Sequence, residues 1–229
     1  MKKKANVKPQ KTKKDIAGSN ETRSEKTDHR EPKPDGKKAD SLRKLRKKME
    51  KVQDSRRFEH TLGVEFTSAA LAMRYGASVK SAQTAGLLHD CAKCLTDKER
   101  VSICKKNNIP MSELEKSNPF LLHAKVGAWL ARKRYGISDQ DILNAIQNHT
   151  TGRPGMSLLE KIVFIADYME PGRNHAPNLD EVRRLAFEDL DQAMLKILND
   201  TLEYLDSKNG DVDPMTRKTL EYYKEHLNR

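Results

Sequence analysis

From Phe58 to the C-terminal residues, apolar side chains recur at spacings of three and four, and stop signals punctuate every such stretch. That is the period of one face of an α-helix, and it leaves little room for anything else. Phe58, Leu62, Phe66, Ala69 and Met73 form a first stripe, closed by Tyr75-Gly76. A second helix is expected over about residues 79–94, and a third from the capping box Thr96-Asp97-Lys98-Glu99. Ser112 starts a short one, and Pro119 opens another that ends at Tyr135-Gly136. Ser138-Asp139-Gln140-Asp141 resembles a capping box and leads into a helix ending near Asn148. Ser157 caps the next, which Pro171-Gly172 stops. A long helix begins at Asp180 and closes at Asn209-Gly210, and Asp213-Pro214 starts the last. Leu42, Leu45, Met49 and Val52, behind a Ser41 cap, predict a short basic helix over 41–55. No alternating strand, Asn-Gly hairpin or repeat interrupts this pattern. The expected fold is all-α, a bundle of about eight or nine helices.

Charge divides the chain. The net charge is +11, yet residues 1–57 hold 21 Lys and Arg against 9 Asp and Glu, while the rest hold 23 against 24. Residues 1–40 contain six apolar residues, three of them alanine, too few to offset the entropy of ordering. They read as a disordered Lys-rich extension, and residues 41–229 as one folded domain. The extension is either a solubilising tail or a weak electrostatic anchor to nucleic acid or an acidic surface. It has no aromatic residue for base stacking, so such binding is expected to ignore sequence and fade with salt. No apolar run approaches the ~20 residues of a membrane span, and no apolar segment follows the basic N-terminus as in a secretory signal. Cys91, Cys94 and Cys104 are too few for a disulfide scaffold, so the protein is expected in the cytoplasm with reduced thiols. Cys91 and Cys94 form a lone CxxC, read as two ordinary helix cysteines.

The chemistry lies in polar residues on apolar faces. His89-Asp90 ends the run Ala85-Gly86-Leu87-Leu88. His123 shares a face with Ala124, Gly127 and Ala131, and His149 one with Ile142, Ala145 and Ile146. Asp167 sits inside the apolar segment Leu158–Met169, and His60 within the first stripe. Each alone has a bland reading as a hydrogen-bonded core group. Six together are expensive to desolvate unless a cation gathers them. Imidazole nitrogen and carboxylate oxygen suit Fe, Zn, Mn, Co or Ni rather than calcium. Six exceed what a single catalytic zinc takes and fit two adjacent metals, with Asp90 the natural bridge. Lys93, one turn after Asp90, and Arg57, one turn before His60, could reach the same place. Thr150 and Thr151, directly after His149, and Arg173, just past Pro171-Gly172, are further phosphate candidates.

The pattern His60, His89-Asp90, Asp167 resembles the HD superfamily of metal-dependent phosphohydrolases. The strings around it, Arg57 to Val64, Gly86 to Lys93, His149-Thr150-Thr151-Gly152 and Ile165 to Arg173, closely resemble the YqeK-type members, the symmetrical bis(5′-nucleosyl)-tetraphosphatases of bacteria. The likeness covers roughly residues 41–227. It implies an all-α HD domain with two transition-metal ions, iron being the expected element. It also implies symmetric cleavage of diadenosine tetraphosphate to two ADP by a hydroxide held between the metals. Carried over, the resemblance makes His60, His89, Asp90, His123, His149 and Asp167 the metal ligands. Lys93, Arg57 and Arg173 then hold phosphates, with Asp90 and Lys93 the expected catalytic residues, and the Thr150 and Thr151 hydroxyls read from the loop complete the expected substrate contacts. Two other readings stand beside it: another HD nucleotide phosphohydrolase (a nucleotidase, or an alarmone or cyclic-nucleotide hydrolase), and a non-catalytic basic RNA-binding helical protein. The oligomeric state is not legible.

Overall fold

The computed structural model describes residues 41–208 and 210–227. The extension expected over 1–40 lies outside the described residues. Those residues hold no strand. They form eleven α-helices and one 3-10 turn: α1 (Leu42–Val52), α2 (Ser55–Tyr75), α3 (Val79–Leu88), α4 (Asp97–Lys106), α5 (Glu113–Ser117), the 3-10 turn (Pro119–Leu122), α6 (His123–Lys133), α7 (Gln140–Asn148), α8 (Leu158–Met169), α9 (Leu179–Glu188), α10 (Leu190–Ser207) and α11 (Pro214–Leu227). The expected all-α bundle is present. No helix among the described residues is long and apolar enough to cross a membrane.

Local chemistry sets most of the boundaries. Full capping boxes start α4 at Thr96, α5 at Ser112 and α8 at Ser157. Ser41 precedes α1 without a side-chain cap bond. Asp54, which the sequence reading missed, caps α2 by accepting from Arg57 N at 2.8 Å. The cap of α7 is Asp139 rather than Ser138, accepting from Asp141 N and Ile142 N. The long helix expected from Asp180 is broken at Asp189. That residue is extended, with φ −149° and ψ 109°, and caps α10 through Asp191 N and Gln192 N. Pro119 opens a 3-10 turn, and α6 begins only at His123.

The helix expected over 79–94 stops at Leu88. His89 turns its ring Nδ1 back onto Gly86 O at 2.7 Å, and the chain continues in tight turns, Cys91 N to Leu88 O and Lys93 N to Asp90 O. His89 and Asp90 therefore stand at a helix end, facing the middle of the molecule.

The core runs between α2, α3, α7, α8 and α10, built on Leu71, Leu87, Leu88, Ile146, Ile162, Ile165, Met194 and Leu198. Two residues of the first stripe face away from it, while Ala69 and Phe58 keep to the core side. Phe66 is 54% and Met73 68% exposed, while Ala69 is buried with Thr61, Val64, Glu65, Ser68, Leu71 and Ala72. Close packing on α3 explains the shift. A Cβ on Gly86 would stand 2.9 Å from Ser68 Oγ, 3.0 Å from Val64 O and 3.1 Å from Glu65 Cα. Small groups fit so narrow a gap, and phenyl rings do not. Glu65, buried there, is tied to Arg46 of α1 at 2.8 Å.

Two of those three neighbours are backbone atoms and cannot swing aside. Gly86→Val should lower stability by about 2 kcal/mol or more, outweighing the smaller gain in helix propensity. Urea unfolding checks this. A wild-type midpoint would show the contact to be unimportant.

Candidate metal centre

Five segments deliver the six inward residues to one place. His60 comes from α2, and His89 and Asp90 from the turn after α3. His123 opens α6, His149 follows α7, and Asp167 lies in α8. His89, Asp90, His123 and His149 are buried, while the side chains of His60 and Asp167 keep 10% and 16% of their exposure. The four rings form a continuous run, with centroids 5.3 Å apart for His60 and His89, 5.0 Å for His89 and His149, and 5.1 Å for His123 and His149.

Hydrogen bonds fix which nitrogen each ring presents. His89 donates through Nδ1 to Gly86 O, His123 to Phe120 O at 2.8 Å, and His149 to Ile146 O at 2.7 Å. His60 Nδ1 lies 3.0 Å from Glu170 Oε1. All four Nε2 atoms are left with a lone pair pointing inward. Yet His60 Nε2 and His89 Nε2 stand 3.3 Å apart, as do His123 Nε2 and His149 Nε2. Two acceptors at that distance repel unless a cation lies beside them.

Asp90 stands between the two histidine pairs. Its Oδ2 is 3.4 Å from His89 Nε2 and 3.9 Å from His60 Nε2. Its Oδ1 is 3.4 Å from His149 Nε2 and 3.6 Å from His123 Nε2, and it is buried without a hydrogen-bond partner. Asp167 Oδ1 joins the first pair, 3.0 Å from His60 Nε2 and 3.7 Å from His89 Nε2. Ligand atoms of His60, His89 and Asp90, of His89, His149 and Asp167, and of Asp90, His123 and His149 each lie within 4.8 Å of one another. An orphaned buried carboxylate oxygen among converging lone pairs fits a divalent metal cation, and the nitrogen-rich donor set fits a transition metal.

Cations rim this cluster. Arg57 Nη1 lies 2.8 Å and Lys93 Nζ 3.1 Å from Asp90 Oδ2, and Arg173 Nη2 lies 2.7 Å from Asp167 Oδ1. Burial pushes both carboxyls up, but the groups facing them prevail and hold both well below the ordinary carboxylate range. Lys93 is one of these groups for Asp90. His123 moves the other way for an imidazole. Burial first, then His149 and Lys93, push it down to about 3, so its ring is neutral at pH 7.

The centre opens onto a cleft of about 1600 Å³ lined by Arg57, His60, Thr150, Asp167 and Arg173, and also by His175. Thr151 is not among the lining residues, and its hydroxyl donates to Gly152 O. Arg153, in the same loop, is bound to Glu160. Cys91 and Cys94 lie in the turn after Asp90, one buried and one exposed, both free. The residue that sequence reasoning missed is Glu170. The signal was present, since Glu170 lies one turn beyond Asp167 and so on its face of α8.

The HD domain family model matches residues 57–172. The symmetrical bis(5′-nucleosyl)-tetraphosphatase of Bacillus subtilis (strain 168) is 45% identical over 166 residues, covering 72% of this chain and 88% of that protein. Its namesake in Halalkalibacterium halodurans is 42% identical over 163 residues, covering 71% and 86%. Among solved structures, a predicted HD superfamily hydrolase involved in NAD metabolism from Clostridium acetobutylicum matches with a TM-score of 0.80 at 39% identity, covering 82% of this chain and all of that one. The chain belongs to the HD-domain family. Within that family, the resemblance to the symmetrical bis(5′-nucleosyl)-tetraphosphatases read from the motifs is borne out by these relatives.

A buried neutral histidine makes stability depend on acid. The unfolded chain takes up the His123 proton near pH 6.5, and the folded chain only near 3. Unfolding therefore gains about 1.4 kcal/mol per pH unit over that window. The depressed carboxyls of Asp90 and Asp167 act with the same sign, their contribution being lost as pH falls below about 3.8. The melting temperature of chelator-treated protein should fall steadily from pH 6.5 to 4.5. A flat profile would show that His123 takes up its proton without hindrance.

Proposed function

We propose that the protein hydrolyses dinucleoside tetraphosphates, cutting diadenosine tetraphosphate symmetrically into two ADP. The observation that carries this is the position of Asp90, whose two oxygens face two separate histidine pairs. It supports two metal ions sharing Asp90, one with His60, His89 and Asp167, the other with His123 and His149. Iron is the proposed element, compatible with the nitrogen-rich donor set. The relatives whose names state this activity cover most of the chain. Bound there, the metals supply Lewis acidity and a nucleophilic water at neutral pH.

The chain's own part is to grip and orient the polyphosphate. Arg57, Lys93 and Arg173 rim the centre within hydrogen-bond reach of its carboxylates, where they can move onto phosphoryl oxygens and neutralise charge in the transition state. Thr150 adds a hydroxyl at the cleft wall, and Thr151 follows it in the same loop. Phe66, Phe187 and Tyr204 line the same cleft with exposed rings, an apolar wall on which a nucleoside can rest. Water adds its oxygen to one β-phosphorus. The bond from that phosphorus to the central bridging oxygen breaks, and that oxygen leaves with the second ADP. ADP is already a stable anion, so the leaving group asks for no strong acid from the protein.

We place the enzyme in the cytoplasm, in accord with its free cysteines. The basic residues of 1–40 support weak, salt-sensitive contact with acidic surfaces such as nucleic acid.

Incubation with diadenosine tetraphosphate, followed by anion-exchange separation, tests the reading. ADP is expected as sole product, lost on chelation and lowered at least about a hundred-fold in Asp90→Asn, whose amide can no longer bridge two cations. ATP plus AMP would reject the symmetric cut, and intact substrate would reject the activity.

A further inference from the structure

Three of the four inward histidines solve one local problem in one way. His89, His123 and His149 each directly follow the last residue of a helix or 3-10 turn, and each turns its Nδ1–H onto the carbonyl three residues back. His60 does not do the same. It lies within α2, and its Nδ1 meets a side chain from another element instead of a carbonyl of its own helix. Without an acceptor there, nothing fixes which nitrogen the ring presents.

Glu170, at the C-terminal end of α8, is that acceptor. It is buried, its Oε1 lies 3.0 Å from His60 Nδ1, and its Oε2 accepts from Gly172 N at 2.5 Å. The space it occupies is reserved for it. A Cβ on Gly63, three residues after His60, would collide with the Glu170 carboxylate. Its backbone is held from outside as well. Arg183 of α9 donates to the carbonyls of Met169, Glu170 and Arg173 at 3.1, 3.2 and 2.9 Å.

We infer that Glu170 is a positioning residue: its carboxylate holds the His60 Nδ1–H so that Nε2 faces Asp167 and His89, completing the more exposed half of the centre. This inference rests on the metal-site reading above. A carboxylate is a stronger acceptor than the carbonyls that hold the other three rings, so His60 is also made the most electron-rich donor of the four. Loss of Glu170 therefore affects one half of the centre, since Asp90, His123 and His149 make no contact through it.

Manganese binding to the chelator-treated full chain tests this without reference to activity. Equilibrium dialysis should show about a 10- to 100-fold weaker affinity for one ion in Glu170→Ala, with the other unchanged. Glu170→Gln keeps an acceptor toward His60 but loses the one toward Gly172, and it should fall between Ala and wild type. Gly63→Ala, which leaves the carboxylate but displaces it, should reproduce the Ala loss. Melting curves of the metal-free variants separate positioning from folding. A role in stability alone would lower the melting temperature and weaken both ions together, overturning the inference. Wild-type affinity for both ions in folded Glu170→Ala would overturn it too. A wild-type chain that binds no manganese would reject the metal-site reading itself, and with it this inference.

Discussion

Four imidazole lone pairs and two carboxylates point into one small volume, and within their cluster no group donates back. That convergence is the constraint on which the remaining structure depends. Acceptors do not gather unless something holds each of them there, and here each is held by its outer atom: three Nδ1–H groups on backbone carbonyls and one on Glu170. The Arg and Lys heads at the rim balance part of the negative charge. The centre of the cluster is left for cations, and Asp90, with one oxygen toward each histidine pair, joins its two halves.

Helix ends do the placing. A side chain within a helix lies flat on its neighbour, whereas one just past the last turn can reach into the gap between helices. Among the described residues, α3, the 3-10 turn and α7 all stop where a histidine takes over their direction. The early stop of α3 is the most consequential, because it puts His89 and Asp90 together at the middle of the bundle. Gly86 then lets α3 approach α2 closely enough for His60 to meet His89. Of the four histidines His60 alone comes from mid-helix, and its Nδ1 meets a residue 110 positions away.

The helices themselves were legible because the apolar period and the capping boxes at Thr96, Ser112 and Ser157 are local. The six inward residues were legible because a polar group on an apolar face costs free energy without a partner. What the chain conceals is phase and long-range approach. Phe66 and Met73 fit the stripe of α2 by spacing, but the gap toward α3 is too narrow for them, and they face outward. Asp189 looks like an ordinary residue in a long helical run until its side chain is seen capping α10. Glu170 lies within a recognisable string, but its purpose depends on Gly63 and His60, which no local pattern links to it.

The gradient of burial across the centre follows from the same packing. His123 and His149 lie deep between α6 and α7, while His60 and Asp167 edge onto the cleft with Arg57 and Arg173. The His60 half thus borders the cleft, beside Arg57 and Arg173. We propose that Asp90 joins two cation sites. Anomalous diffraction from crystals of the metal-loaded protein tests it most directly. Two metal peaks per chain are expected, one beside each oxygen of Asp90, the first near His60, His89 and Asp167 and the second near His123 and His149. A single peak bound away from Asp90, or none at full loading, would contradict it.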